Sequence, residues 1–395
     1  MEQTDILISG GGVAGLTAAA AFGSAGFRVI CVDPAPPVTD AGAEGADLRT
    51  TAFLQPSVAV LEAAGLWARL APHAAPLQIM RIVDAGGPAL EPRLIKDFDA
   101  AEISDQPFGQ NLPNWLLRRE MVARLAELPN VSFRPGLGTT DLLTRTQEAR
   151  VTLSDRTRVS ARLVIAADGR HSPMRDAAGI GVRTFRYGQK ALTFAVSHPV
   201  PHLNVSTEIH RSGGPFTLVP LPDRDGQPTS AVVWMERGPE VARLAALGVA
   251  DFEAEANLRS CHILGPLTLV GRRMVWPMIA QLADRMAGER LALMAEAAHV
   301  VPPIGAQGLN MSLADLACLL ELAQHHDLGS PAMLDAYHRQ RHAEVRARVM
   351  GVDALNRASM LGAPPLRDLR AAALNLLYAL APVRKTLMKA GLRVR

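Results

Sequence analysis

The sequence predicts an α/β fold in which a Rossmann-like βαβ unit binds a nucleotide and a second, sheet-rich domain works beside it. Three stretches predict this. Residues 5–33, DILISGGGVAGLTAAAAFGSAGFRVICVD, run from an apolar strand through a glycine turn and an Ala-rich helix to a second strand that ends on Asp33. Residues 163–167 form an apolar run that stops on Asp168-Gly169, as a central strand does when it delivers a carboxylate to a crevice. Residues 190–236 carry short strand-like pieces punctuated by Gly and Pro.

In the first stretch, Gly10, Gly12 and Gly15 stand in GxGxxG spacing. Such glycines permit the tight turn, the approach of a pyrophosphate to the backbone and close helix–strand packing, and the helix N-terminus faces the phosphates. Asp33 sits where a carboxylate accepts hydrogen bonds from a ribose. The fingerprint speaks for an adenine dinucleotide and leaves FAD and NAD open. After a Pro/Gly/Ala-rich loop at 34–46 comes Asp47-Leu48-Arg49-Thr50, where Arg49 either meets phosphate or caps a loop. A helix is expected over 55–70, strands over 77–84 and 94–98, and an amphipathic helix over 116–128 bearing Arg118, Arg119 and Arg124. Residues 131–134 and 149–153 read as strands of a small antiparallel insertion.

Within the sheet-rich part, strands are expected at 192–196, 205–209, 216–219 and 230–235, with Trp234 and Met235 read as core. A helix over 241–257 covers this sheet, and 267–277 supplies its last strand. Residues 291–294 form another buried strand, followed by Ala295-Glu296-Ala297-Ala298-His299, Pro302-Pro303 and the turn 305–310. Gly308 then opens a helix over 309–325 whose first amides can receive an electronegative group. The rest, 331–395, is helical. Its tail from 366 onward carries Leu369, Ala372, Leu376, Leu377 and Leu380, then Arg384, Lys385, Lys389, Arg393 and Arg395. That tail either lies on an anionic membrane or packs on its own domain with its charges in water.

A chain of 395 residues is long enough for two cores. Its 48% hydrophobic and 20% charged residues describe a folded protein, and with 4% aromatics a base-stacking nucleic-acid module has little to build on. Net charge is +3, which requires no polyanionic partner. Cys31, Cys261 and Cys318 are isolated, so no zinc, iron–sulfur or disulfide framework is expected, and a reducing compartment fits. No basic n-region with an apolar h-region opens the chain, and no stretch reaches 18 apolar residues. The expected location is cytoplasmic, with peripheral contact to the inner face of the membrane left open.

Together the glycine fingerprint, the Asp168-Gly169 turn and AEAAHVVPPIGAQGLNMSLAD at 295–315 resemble the three motifs of the class A FAD-dependent aromatic hydroxylases. Within that family the chain is most similar to the ubiquinone-biosynthesis branch. The features are Asp47-Leu48-Arg49, Arg186-Tyr187 with Gln189, GGPFTLVPLPD at 213–223, Val233-Trp234, and a helix containing Tyr337 and Arg341. The resemblance spans essentially the whole chain.

The resemblance implies a discontinuous FAD domain (1–76, 110–184 and 279–360), a substrate-binding sheet domain (77–109 and 185–278) and a basic helical tail (361–395). It implies FAD held at its pyrophosphate by Gly10, Gly12, Val13, Ala14 and Gly15 and at its ribose by Asp33, where the family usually has Glu. Arg49, Arg118, Asp168, Glu296, Pro303, Gly305, Gly308, Leu309, Asn310 and Met311 complete the expected cofactor contacts. It implies NAD(P)H as a transient cosubstrate and O₂ as oxidant, one oxygen reaching the ring of a prenylated phenol from a C4a-hydroperoxide of the flavin. A membrane or a ubiquinone-biosynthesis complex would be the partner of the tail, and no metal is implied.

Two departures stand out. The family's GDAAH is Ala295-Glu296-Ala297-Ala298-His299 here, and Ser312 replaces a common glycine. Glu296 keeps a carboxylate on a longer arm, while Ala295 gives up backbone freedom that Gly allows. The readings are a compensated flavin site, a weakened one, or a protein without flavin. Candidates for a group acting on the substrate are His299, Tyr187 and Gln189, each equally readable as packing or positioning. An NAD(P)-dependent dehydrogenase, a non-catalytic flavin-binding scaffold and a soluble catabolic or tailoring hydroxylase are the competing functions.

Overall fold

The computed structural model describes residues 1–87, 91–211, 213–360 and 364–392. Two eight-stranded sheets dominate it. In the first, the spatial order is Ala287–Gly288, Leu291–Leu293, Arg158–Ala166, Glu2–Ser9, Val29–Asp33 and Val131–Pro135. Its central strands are parallel. Parallel strands covered on both faces need near-continuous apolar sequence, and Ile6, Leu7, Ile8, Leu163, Val164 and Ile165 are all fully buried. The helix Val13–Ser24 packs on this sheet with residues 13–23 all buried. Its run of alanines lets the backbone come close to the strands.

Three sequence expectations need correction. Residues 131–134 do not belong to an antiparallel insertion, because Val131–Pro135 is a parallel strand on the edge of the main sheet, in register with Val29–Asp33. Only Ala149–Leu153 is antiparallel, paired with Thr139–Thr144 and Arg158–Ala166. The helix expected over 55–70 is two, Gln55–Ala63 and Trp67–Leu70, because Gly65 takes φ +69° between them. The helix over 241–257 is likewise two, Gly238–Ala246 and Val249–Arg259, broken where Leu247 is extended.

The second sheet is two-faced. Along Val182–Ser197 alternate residues point to opposite sides. Leu192, Phe194 and Val196 join Val232, Trp234, Phe216 and Leu218 in a core that also takes in Val241, Leu244, Phe252 and Ala256 from the two covering helices. Ala191 and Met235, paired across strands, belong to a different cluster with Met278, Ile304 and Val352, and Tyr187, Val233, Trp276 and Val301 pack on it. Trp234 and Met235 are both core as expected, on opposite faces of the sheet. That second face packs against Ile304 and Val352, and the strand Thr268–Ala283 reaches the first core through Ala280 and Ala283.

Helices Gln307–His325 and Pro331–Met360 close the first domain. The tail forms two helices, Pro364–Ala379 and Ala381–Leu392. Met388 and Leu392 pack with Ala100 and Phe108, and Arg384 pairs with Glu102 at 2.7 Å. The tail therefore docks on its own chain. It still leaves Leu376, Leu377, Leu380, Val383 and Leu387 exposed. Arg393 and Arg395, and the side chain of Leu369, lie outside the described residues. Among the described residues no helix is long and apolar enough to cross a membrane.

Candidate flavin site and substrate face

The glycine turn divides its labour by position. A Cβ on Gly15 would collide with the Gly10 carbonyl oxygen, and one on Gly10, which has φ +110°, would collide with the Ala167 carbonyl. A Cβ on Gly12 would meet no protein atom within 4 Å. Gly10 and Gly15 thus bring turn, helix and strand together, and Gly12 leaves open the space above the helix N-terminus. No side chain caps that helix and no acid lies in its first turn. The amides that follow, including those of Val13 and Ala14, are oriented to receive an anion.

Two carboxylates flank the turn. Asp33 accepts from the Gly11 amide at 2.6 Å and from the Ala35 amide at 2.8 Å, which fixes it at the strand end. Asp168 accepts from Ser9 Oγ at 3.3 Å and the Met174 amide at 3.2 Å, while its Oδ1 is buried without a partner among the described residues. Burial raises the Asp168 carboxyl above the ordinary range, against hydrogen bonds from Ser172, Met174 and Ser9 that favour the charge. A lone acceptor at the mouth of a phosphate cradle suits a hydroxyl-bearing ligand.

Arg49 is tied into its own loop and also reaches the second sheet. Its guanidinium makes a bidentate pair with Asp47 at 2.8 and 2.7 Å and lies 3.9 Å from the centroid of Trp276, on the substrate sheet. Asp47 is buried and also accepts from Asn114, with Arg118 at 3.6 Å. Burial alone would raise its carboxyl, but Arg49, Asn114 and Arg118 outweigh burial and hold it low. Arg49 is disfavoured by burial and stabilised by Asp47 and by the charge of Glu296. Glu296 is exposed and lies within electrostatic reach of Arg49.

Ala295 adopts φ +55°, the left-handed conformation that glycine takes without cost. The chain makes the expected turn without glycine. Ala306, also at φ +55°, precedes the helix Gln307–His325, whose N-terminus has no side-chain cap and no first-turn acid. Gly305 and the exposed Pro303 shape the turn before it. Gln307, Gly308 and Leu309 open the helix with uncommitted amides. Two side chains of this stretch are committed to the protein. The Met311 side chain is wholly in the core, and the Asn310 side chain acts as a splice, accepting from the Leu54 amide and donating to Ala52 and Ala306 carbonyls.

The three substrate-side candidates are all committed to protein partners. His299 is buried, with Nε2 2.6 Å from Asp315, which also accepts from Arg341 at 2.8 Å. Tyr187 donates to Asp353 at 2.7 Å, and Gln189 bridges the Gly213 carbonyl and Asn356. Sequence reasoning missed Asp315, Trp276 and Asn356. Trp276 was legible, since Met274, Trp276 and Met278 alternate along a strand. Asp315 and Asn356 carried no signal until helices 307–325 and 331–360 were seen side by side.

These residues fit FAD. The cradle would accept a pyrophosphate, Asp33 a ribose, Glu296 and Asp168 hydroxyl groups, and the amides at Gln307–Leu309 an electron-rich ring edge.

A family model described as FAD binding domain matches residues 3–352. Over 393 residues the chain is 34% identical to a ubiquinone hydroxylase, UbiL, of Rhodospirillum rubrum, covering 98% of this chain and 89% of that one. It is 26% identical to the 3-demethoxyubiquinol 3-hydroxylase of Escherichia coli, with 93% of each covered. Its fold matches that of p-nitrophenol 4-monooxygenase PnpA from Pseudomonas putida over all of both chains, with TM-score 0.78 at 19% identity. With cradle, carboxylates and family match in agreement, the chain belongs to the FAD binding domain family, as an enzyme of its FAD-dependent aromatic-ring monooxygenases.

Proposed function

We propose that this enzyme hydroxylates the ring of a polyprenylated phenol or benzoquinone intermediate of ubiquinone biosynthesis, with NAD(P)H as reductant and O₂ as oxidant. The observation that carries this reading is the second face of the substrate sheet. On that face Ala191, Val233, Met235, Trp276 and Met278 form an apolar cluster with Val301 and Ile304 from the Pro302-Pro303 turn and with Val352. Apolar lining with few polar groups suits a prenylated ring. The likeness to ubiquinone hydroxylases across nearly the whole chain supports the same reading.

When bound, the flavin supplies O₂ activation and oxygen transfer; the chain's own residues bind, orient and shield. Gly10, Gly12 and Gly15 with the Val13 and Ala14 amides would hold the pyrophosphate, Asp33 the ribose, and Asp168 and Glu296 the hydroxyls between. Arg49, stacked on Trp276, ties the cofactor side of the cleft to the substrate sheet. The amides of Gln307 to Leu309 and the dipole of their helix favour negative charge on the nearby ring. The exposed leucines of the tail would rest on the inner face of the membrane that stores such substrates.

Deleting the gene and analysing quinone precursors by mass spectrometry tests the assignment. The expected result is accumulation of a precursor lacking one hydroxyl. Normal quinone levels with no precursor would remove the ubiquinone pathway, and preference of the purified enzyme for short phenols would move it to a soluble tailoring or catabolic reaction.

A further inference from the structure

At one end of the apolar cluster lies a chain of three amide groups. Gln189 Nε2 donates to the Gly213 carbonyl at 2.7 Å, and Asn356 Nδ2 donates to Gln189 Oε1 at 2.8 Å. The direction of this chain is fixed, because flipping either side-chain amide would set donor against donor or acceptor against acceptor. Asn356 Oδ1 is therefore the free end. The residue is wholly buried, and Oδ1 has no hydrogen-bond partner among the described residues. A buried carbonyl left unpaired is a cost that a native structure normally removes, and only a donor can remove it.

Its surroundings say which donor. Gln189 and Ala191 share one face of the strand Val182–Ser197, about 7 Å apart along it. Ala191 sits in register between Met235 and Trp276. Val352, one turn before Asn356 on the helix Pro331–Met360, packs in the same cluster as Met235, Met278 and Ile304. The acceptor thus lies at the edge of this apolar cluster.

We propose that the Gln189–Asn356 pair is the binding site for the ring hydroxyl of the substrate, with Asn356 Oδ1 accepting a hydrogen bond from it and the apolar cluster beside it holding the ring. The inference rests on the phenol-hydroxylase reading above. An acceptor-only end selects a neutral phenol over a phenolate or an aryl carboxylate, and it ranks a phenol above its methyl ether, which has no proton to give.

The test uses the full-length, FAD-loaded enzyme with 2-prenylphenol and its methyl ether, and reads dissociation constants from the perturbation of flavin absorbance. Wild type is expected to bind the phenol at least about tenfold more tightly than the ether, since pairing a buried acceptor is worth at least that factor. Asn356→Leu is expected to bring the two within about twofold with the flavin spectrum kept, at a lower melting temperature because Gln189 Oε1 loses its donor; Asn356→Ala gives the same readout should the leucine not fold. Equal affinities in wild type need no variant to overturn the site, and so does a discrimination that survives in Asn356→Leu while the phenol remains a substrate. If neither compound perturbs the flavin or stimulates NAD(P)H oxidation by wild type, the phenol-hydroxylase reading falls, and the site with it.

Discussion

Ala295 concentrates the question of how a flavin site forms without its usual glycine. An alanine in the left-handed region is strained by about 1 kcal/mol relative to glycine, although glycine returns part of that through its freer unfolded chain. Ala295→Gly is therefore expected to unfold at the same or a slightly higher urea concentration than wild type, and Ala295→Val at a clearly lower one, because a β-branched residue resists positive φ. Lower stability of the glycine variant would show that the turn owes nothing to this strain. Asp315 is the second decisive residue. Burial would raise its carboxyl, yet the charges and hydrogen bonds of His299 and Arg341 prevail and hold it low. A lowered carboxyl contributes stability that is present above its unfolded pKa of about 3.9 and lost as pH falls through the folded value. Asp315→Asn should cost about 3 kcal/mol at neutral pH, leaving Arg341 only Glu344 as a carboxylate partner, and should flatten the loss of stability below about pH 4. Chemical denaturation across pH checks both, and an unchanged acid limb would rule the triad out as its source.

At the scale of elements, the glycine turn offers a clean separation of folding from binding. Gly12 has φ −71° and open space beside it, so Gly12→Ala fits the backbone and fills only the cradle. The expected outcome is a flavin-free protein with wild-type melting temperature and an FAD affinity at least about tenfold weaker, read by fluorescence titration. Gly15→Ala meets the Gly10 carbonyl instead and should lower the melting temperature itself. Equal loss of stability in both variants would remove the cradle from the account. This turn was readable because every requirement on it is local: strand, glycine spacing, helix and acid follow one another in sequence. The two broken helices were not. In 55–70 the apolar period continues through Gly65, and only the left-handed conformation of that glycine ends the first helix. The strand Val131–Pro135 was misread because its half-exposed sequence resembles an edge strand of either kind; whether it runs parallel depends on the distant strand Val29–Asp33.

For the molecule as a whole, the tail has one face packed on its own chain and one left exposed. Removing Ala381–Leu392 would uncover Ala100 and Phe108, so truncation confounds attachment with folding. Replacing Leu376, Leu380 and Leu387 by serine avoids this, since these side chains are 63%, 48% and 49% exposed. The triple variant is expected to keep its melting temperature and lose co-sedimentation with vesicles containing anionic lipid; undiminished co-sedimentation would take the membrane out of the tail's role. By itself the sequence determined the fold class, the FAD cradle and the family motifs, since these depend on local spacing and on apolar runs that any buried parallel strand requires. Tertiary structure alone decided what the polar side chains do. It tied Arg49 to Asp47 and Trp276, enclosed His299 between Asp315 and the core, and joined Gln189 to Asn356 across 167 residues. A polar group's role is set by the partner that satisfies it, and partners so far apart in the chain leave no mark in its local pattern.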